Sequence, residues 1–191
     1  WEIAQRARAL IMHSPSAAPR IEQETGIRPF VLEFANQRVP RTSEVTNQMR
    51  RDARDRLGFN AGHVHIASFG YVDVRTKMVD VVVEAVAWLA TWGYPVSLHL
   101  AGSASPDMAE MLTRRAVSAD LAGFEITGFL GEEQFRDYLL AVDLGVQLRV
   151  SPMLGVSGPL SDLAAFGTPS LASRGLAIDV GAPDYVDRLP D

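Results

Sequence analysis

The chain contains no cysteine. Disulfides and thiolate metal ligands are thereby excluded, and a reducing compartment fits, so a cytoplasmic location is expected, with peripheral contact at a membrane for the full-length protein. It also lacks any stretch near the ~20 consecutive apolar residues that a bilayer-spanning helix requires, because charges or turn residues interrupt every apolar run. No membrane anchor is therefore expected within this segment. A basic excess is missing as well: 18 Lys and Arg stand against 23 Asp and Glu, a net charge of −5. Sequence-independent binding to a phosphate backbone depends on such an excess, so nucleic acid is not an expected partner. Trp1-Glu2-Ile3-Ala4 offers neither an initiator Met nor the basic and apolar regions of a signal peptide. Residues are expected to precede it.

What is present is a composition that builds a core. Apolar residues make up 47% of 191 and charged residues 21%, enough for one well-buried domain plus a fragment. Residues 2–9 read as helical, 10–13 as a short strand, 14–26 as a helix opened by Ser14-Pro15 and ended by Gly26, and 30–34 as a strand. The polar, Pro-containing stretch 38–43 cannot continue a strand ladder, which sets a domain boundary near residue 40.

A charged helix over 44–57 follows, and then regular alternation: strand 63–69, helix 78–92, strand 95–101, helix 106–119, strand 124–127, helix 132–141, strand 144–148, helix 159–166 and strand 170–172. Strands separated by crossover helices predict a parallel sheet with helices on both faces, a Rossmann-like α/β fold over residues 41–191. In the helix over 78–92, Val79, Val82, Val83, Val86 and Leu89 recur every three or four residues and form a core stripe. After Arg174, two glycines and two prolines interrupt the chain, and no further periodic element is expected there.

Ligands of open parallel sheets bind beyond the carboxyl ends of the strands, so the loops there carry the candidates. After the first strand comes Gly70, where backbone can approach closely, and then Lys77 at the expected start of a helix, a candidate phosphate ligand. By spacing alone, a lysine there reads first as a solvated surface residue. After the strand over 144–148 come Arg149 and a loop in which Gly155 and Gly158 precede Pro159, suited to the first helical position. Such a loop can hold a diphosphate on backbone N–H groups and the positive end of the next helix, with Arg149 adding a charged contact, although the same turn also serves as a plain connection.

Other chemistries fail on the residues. Gly155-Val156-Ser157-Gly158-Pro159 lacks the glycine two residues after serine that a nucleophile elbow needs. His63 and His65 share a strand face but have no third ligand, so no metal site is expected. Neither a dinucleotide fingerprint nor a P-loop occurs.

Several stretches together resemble successive motifs of the retaining, family-four GT-B glycosyltransferases over roughly residues 44–181. These are Ile66-Ala67-Ser68-Phe69-Gly70 with Lys77 and Asp80; Leu100-Ala101-Gly102; Ile126-Thr127-Gly128-Phe129-Leu130; Ala141-Val142-Asp143; and Leu160 to Pro169, ending Ala164-Ala165-Phe166-Gly167-Thr168-Pro169. The resemblance implies the C-terminal half of a two-domain GT-B fold, incomplete at its end, with residues 1–40 as the tail of an acceptor-side domain. It implies a nucleotide-sugar donor as substrate, with no cofactor and no metal. The acceptor would be a carbohydrate or a lipid-linked molecule bound by the missing domain.

By resemblance, Lys77 contacts the diphosphate, Gly128-Phe129-Leu130 meets the nucleobase and Asp162 replaces the family glutamate at the ribose hydroxyls. With Gly70, Arg149, Leu154, Gly155, Ser157 and Gly158, these form the expected donor site. The chain departs from the pattern at Leu154, in place of a glutamate that meets the sugar, at Met78, in place of a glycine, and at Val72, in place of a diphosphate-binding arginine. Two other readings stand beside glycosyl transfer: a catalytically inactive GT-B domain serving as an interaction module, and another α/β enzyme such as a sugar-nucleotide epimerase.

Overall fold

In the computed structural model, residues 2–32, 44–150 and 155–190 are described. The first stretch forms helix α1 (Glu2–Arg6), strand β1 (Ile11–Met12), helix α2 (Ala18–Thr25) and strand β2 (Phe30–Val31), with β1 and β2 paired in parallel. The proposed boundary near residue 40 and the end of the strand expected over 30–34 lie outside the described residues.

The second unit follows the expected alternation. Helix α3 (Asn47–Leu57) begins where Thr46 accepts a hydrogen bond from Met49 N–H and ends at Gly58, whose φ of 65° suits a left-handed cap. Then come β3 (Val64–Phe69), α4 (Val74–Lys77), α5 (Val79–Thr91), β4 (Val96–Ala101), α6 (Pro106–Ser118), β5 (Gly123–Ile126), α7 (Glu132–Ala141), β6 (Leu144–Gln147), α8 (Gly158–Ala165), β7 (Ser170–Ser173), α9 (Arg174–Asp179) and β8 (Val186–Leu189). Six strands form one sheet in the order β5-β4-β3-β6-β7-β8, every pairing parallel. This is the Rossmann-like α/β architecture that the strand and helix alternation predicts.

Both faces are covered by apolar packing. On one, Val79, Val82, Val83 and Val86 of α5 join Leu112 and Ala116 of α6 over Ile66, Leu98 and Leu100. On the other, α3, α7 and α8 pack Ala53, Leu139, Leu140, Leu163 and Phe166 over Ala67, Phe69 and Ala101. Burying each large aliphatic side chain contributes about 1.5–3 kcal/mol, so the valine stripe of α5 is a principal anchor of the sheet.

Three departures from the sequence reading have local causes. Residues after Arg174 do form elements: α9 is short, and β8 buries only Val186 while its other three residues are exposed, so neither shows a period. The helix expected over 78–92 is preceded by a separate turn, α4, which Asp73 caps by accepting from Arg75 N–H and Thr76 N–H. Lys77 consequently ends α4 instead of starting α5, and Met78 divides the two helices at φ 51°. Among the described residues no helix is long and apolar enough to cross a membrane.

The N-terminal segment docks on the far end of the sheet through one carboxylate. Asp179 accepts from Ser14 Oγ and Ser16 Oγ, both at 2.9 Å, and from Ser16 N–H at 3.0 Å. An acidic residue at the C-terminus of α9 opposes that helix's dipole, so these three donors supply the reason for its place.

Candidate functional site

The chain leaves β3 toward β4 on one side, and β6 pairs with β3 on the other. Connections from these neighbours run in opposite directions, which opens a crevice beyond their carboxyl ends, the position where open α/β sheets hold ligands. The loops after β3 and β6 are the two that carry Gly70, Lys77, Arg149 and the start of α8.

Close packing brings these residues together. Gly70, at φ 92°, lies so near the lysine that an added Cβ would sit 2.5 Å from Lys77 Nζ and 3.6 Å from Pro159 Cγ. Its carbonyl oxygen would be only 1.9 Å from a Cβ on Gly102, so backbone meets backbone at the end of β3 and β4. Lys77 Nζ donates to Phe69 O at 2.9 Å. Burial lowers its pKa below the ordinary lysine value, the positive charge of Arg149 adds to that shift, and Asp73 opposes it. Two cations thus share the crevice.

Arg149 is fixed by its backbone, whose N–H donates to Ser173 Oγ at 2.8 Å while the Ser173 hydroxyl returns a bond to Arg149 O at 3.1 Å. Val150 N–H donates to Thr76 O at 3.1 Å and ties the loop after β6 to α4. Arg149 Nε is buried and has no hydrogen-bond partner among the described residues, and the same holds for Gln147 Nε2. Residues 145 and 147 share one face of β6, Leu163 of α8 packs over Gly145 on that face, and Arg149 follows two residues beyond the strand end. Two donor groups without partners among the described residues therefore lie at the β6 end, that of Gln147 on its α8 side. Buried donors are normally paired, so unpaired ones mark a place for an acceptor. Gln147 was missed in the sequence reading; its signal was an amide inside an otherwise apolar strand.

Helix α8 presents its N-terminus to the crevice through Gly158 and Pro159. Ser157 is buried and its Oγ accepts from Leu160 N–H at 3.3 Å, so that hydroxyl serves as the helix cap. Asp162 lies in the second turn at 9% exposure, and burial pushes its carboxyl up to about 6. Gly155 has a φ of 136°, a conformation open to glycine, whereas Leu154 lies outside the described residues.

Gly128, Phe129 and Leu130 follow β5, separated from β3 by β4, which puts them about 10 Å along the sheet from the lysine loop. Phe129 is 89% exposed, an aromatic face without cover on that flank, while Leu130 packs against the α3 and α7 core. Val72 is 2% exposed and sits in the core beside α5, so this position offers no cation to the crevice. Met78 holds the left-handed conformation that glycine adopts without strain, which gives the residue following the lysine a physical preference for glycine.

No protein-family model and no curated protein sequence matches the chain. Solved structures match its fold. HepE of Anabaena, in a complex described as containing UDP and glucose, aligns with a TM-score of 0.75 at 18% identity over 93% of this chain and 48% of its own. The fold is that of the GT-B glycosyltransferases. WaaG, a glycosyltransferase involved in lipopolysaccharide biosynthesis, aligns with a TM-score of 0.72 at 18% identity over 90% of this chain and 46% of its own. The C-terminal domain of LpcC, a glycosyl transferase group 1 protein of Francisella tularensis, aligns at 0.58 and 20% identity over 72% of each chain. The chain spans about half the length of HepE and WaaG.

Proposed function

We propose that the crevice between β3 and β6 binds a nucleotide sugar, and that the full-length protein transfers the sugar with retention to a carbohydrate or lipid-linked acceptor. The observation that carries this reading is the meeting of Lys77, Arg149 with its unpartnered Nε, and the start of α8 at the switch point. Leaving-group departure in such a transfer builds negative charge on a diphosphate. Fixed cations and helix N–H groups placed there stabilise it without reorganisation. Lys77 and Arg149 supply the charge in this reading, Gln147 Nε2 supplies a neutral donor, and neither a metal nor a cofactor is needed for that step.

Asp162 accepts from the ribose hydroxyls when ionised, and Gly128, Phe129 and Leu130 receive the nucleobase, with the exposed Phe129 ring as a stacking face. The crystallised HepE complexes with UDP and UDP-glucose support the ligand class. An acceptor-side base belongs to the part of the protein outside this chain. The second reading, an inactive interaction module, is favoured by one observation, the core position of Val72 where a cation would serve the diphosphate.

Product analysis of the full-length protein separates the readings. A glycoside with the donor's anomeric configuration, formed at a rate that falls at least ~100-fold in Lys77→Ala, is the expected outcome. An epimerised nucleotide sugar, or partner binding unchanged by Lys77→Ala with no turnover in either protein, overturns the transfer reading.

A further inference from the structure

On the face of the sheet covered by α3 and α7, a polar line crosses three strands. Asn60 O is 3.0 Å from His65 Nε2, His65 Nδ1 is 2.9 Å from His99 Nε2, and His99 Nδ1 is 2.6 Å from Glu125 Oε1. Tyr138 donates its hydroxyl to the same Glu125 oxygen at 2.6 Å. His65 and His99 are 3% and 6% exposed, and the Phe59 ring stacks on both, with centroids 3.9 and 4.5 Å away. Nothing in the donor crevice uses these groups.

The number of hydrogens in this line follows from what each atom can do. A carbonyl only accepts, so His65 Nε2 carries a hydrogen. The contact between the rings needs a second, and the contact between His99 and Glu125 needs a third. Two neutral imidazoles supply only two. Glu125 Oε1 accepts from Tyr138 and its carboxyl is held below the usual carboxylate range, so it stands as a carboxylate that accepts from both neighbours, and the third hydrogen belongs to a ring.

We propose that the His65–His99 pair holds one imidazolium charge, centred on His99 beside the Glu125 carboxylate, and that this proton fastens β3, β4 and β5 to the turn before β3 as a pH-sensitive staple. A second proton would set His65 Nδ1–H against His99 Nε2–H across 2.9 Å, donor facing donor. Loss of the first would set a ring lone pair against a carboxylate across 2.6 Å, or against the other ring.

The surroundings agree. Burial holds His65 below the ordinary histidine range, its bond to Asn60 O opposes this, and the charge of His99 lowers it further. Hydrogen bonding from His99 holds Glu125 below the usual carboxylate range against the effect of burial, and Tyr138 adds to it. Burial, then Glu125, pushes the Tyr138 phenol up, which keeps it a donor. The other titratable groups facing the pair are Asp143, whose Oδ2 accepts from His65 N–H at 2.9 Å, Arg54, which is ion-paired to Asp143, and His63, bonded to Ser97 Oγ with its ring 6.4 Å from that of His65. A folded-state pKa below that of the unfolded chain means that His65 contributes stability above about pH 6.5, and that this is lost as pH falls and the unfolded chain takes up the proton.

Long-range proton–nitrogen correlation spectra of the histidine rings in the full chain, near neutral pH, test the proposal. The expected pattern is one ring of the pair with both nitrogens protonated and the other a neutral Nε2–H tautomer. Two neutral rings, or two charged ones, overturn it. Glu125→Gln provides a second arm, since its amide can donate to His99 Nδ1 and complete all three contacts with neutral rings. With the backbone spectrum retained, disappearance of the imidazolium in Glu125→Gln supports the proposal, and its persistence overturns it.

Discussion

Replacing Asp162 by asparagine separates the cost of a buried carboxylate from its use. Burial pushes its carboxyl from the ordinary 3.8 up to about 6, so the folded protein holds a proton there through a range in which the unfolded chain has lost it. The sign follows: a raised folded pKa gives stability at low pH that is lost as pH rises from about 4 to about 6, and above that the full cost of the buried charge remains. Two pKa units correspond to about 3 kcal/mol, an upper limit because local relaxation and water penetration lower the cost of a buried charge. Asparagine keeps the shape and removes the charge. Urea unfolding across the range predicts equal stability for Asp162→Asn and wild type near pH 4, and about 1–3 kcal/mol in favour of the variant near neutral pH. A difference independent of pH, or a variant less stable near neutral pH, refutes the reasoning. If the carboxylate serves the ribose, the stabilised variant also loses nucleotide affinity, an exchange of function for stability found at binding sites.

Gly102→Ala places a methyl 1.9 Å from Gly70 O and forces backbone apart, so a loss of about 3 kcal/mol and a fall in Tm of about 6–12 °C are expected by calorimetry. Met78→Gly relieves a left-handed non-glycine residue and should gain about 1 kcal/mol in urea unfolding, while Met78→Ala, which keeps the strain, gains nothing. Asp179→Ala removes the acceptor of three hydrogen bonds from Ser14 and Ser16, so limited proteolysis should cut within residues 2–32 at least ~10-fold faster while the six-stranded sheet stays resistant.

The sheet was legible because its strands and helices carry strong periods, the valine stripe of α5 above all. Element ends that rest on special backbone states were not: α4 is set by the Asp73 cap and the positive φ of Met78, and neither leaves a repeating pattern. β8 stayed hidden because an edge strand with a single buried residue looks like a polar loop. For the site, the rule that ligands lie beyond strand ends picked out the loops of Lys77 and Arg149, but their mutual effect depends on β3 pairing with β6, which sequence order does not reveal. The same limit applies to His65, which shows its neighbour His63 in the sequence, whereas its bonded partner His99 arrives through the register of β4.

Calorimetric titration of the full-length protein with UDP, GDP and ADP tests nucleotide binding in the crevice between β3 and β6. Saturable binding of at least one nucleoside diphosphate is expected, weakened about 10-fold or more when Lys77 or Arg149 is replaced by alanine. A folded protein that binds none of the three up to millimolar concentration contradicts it.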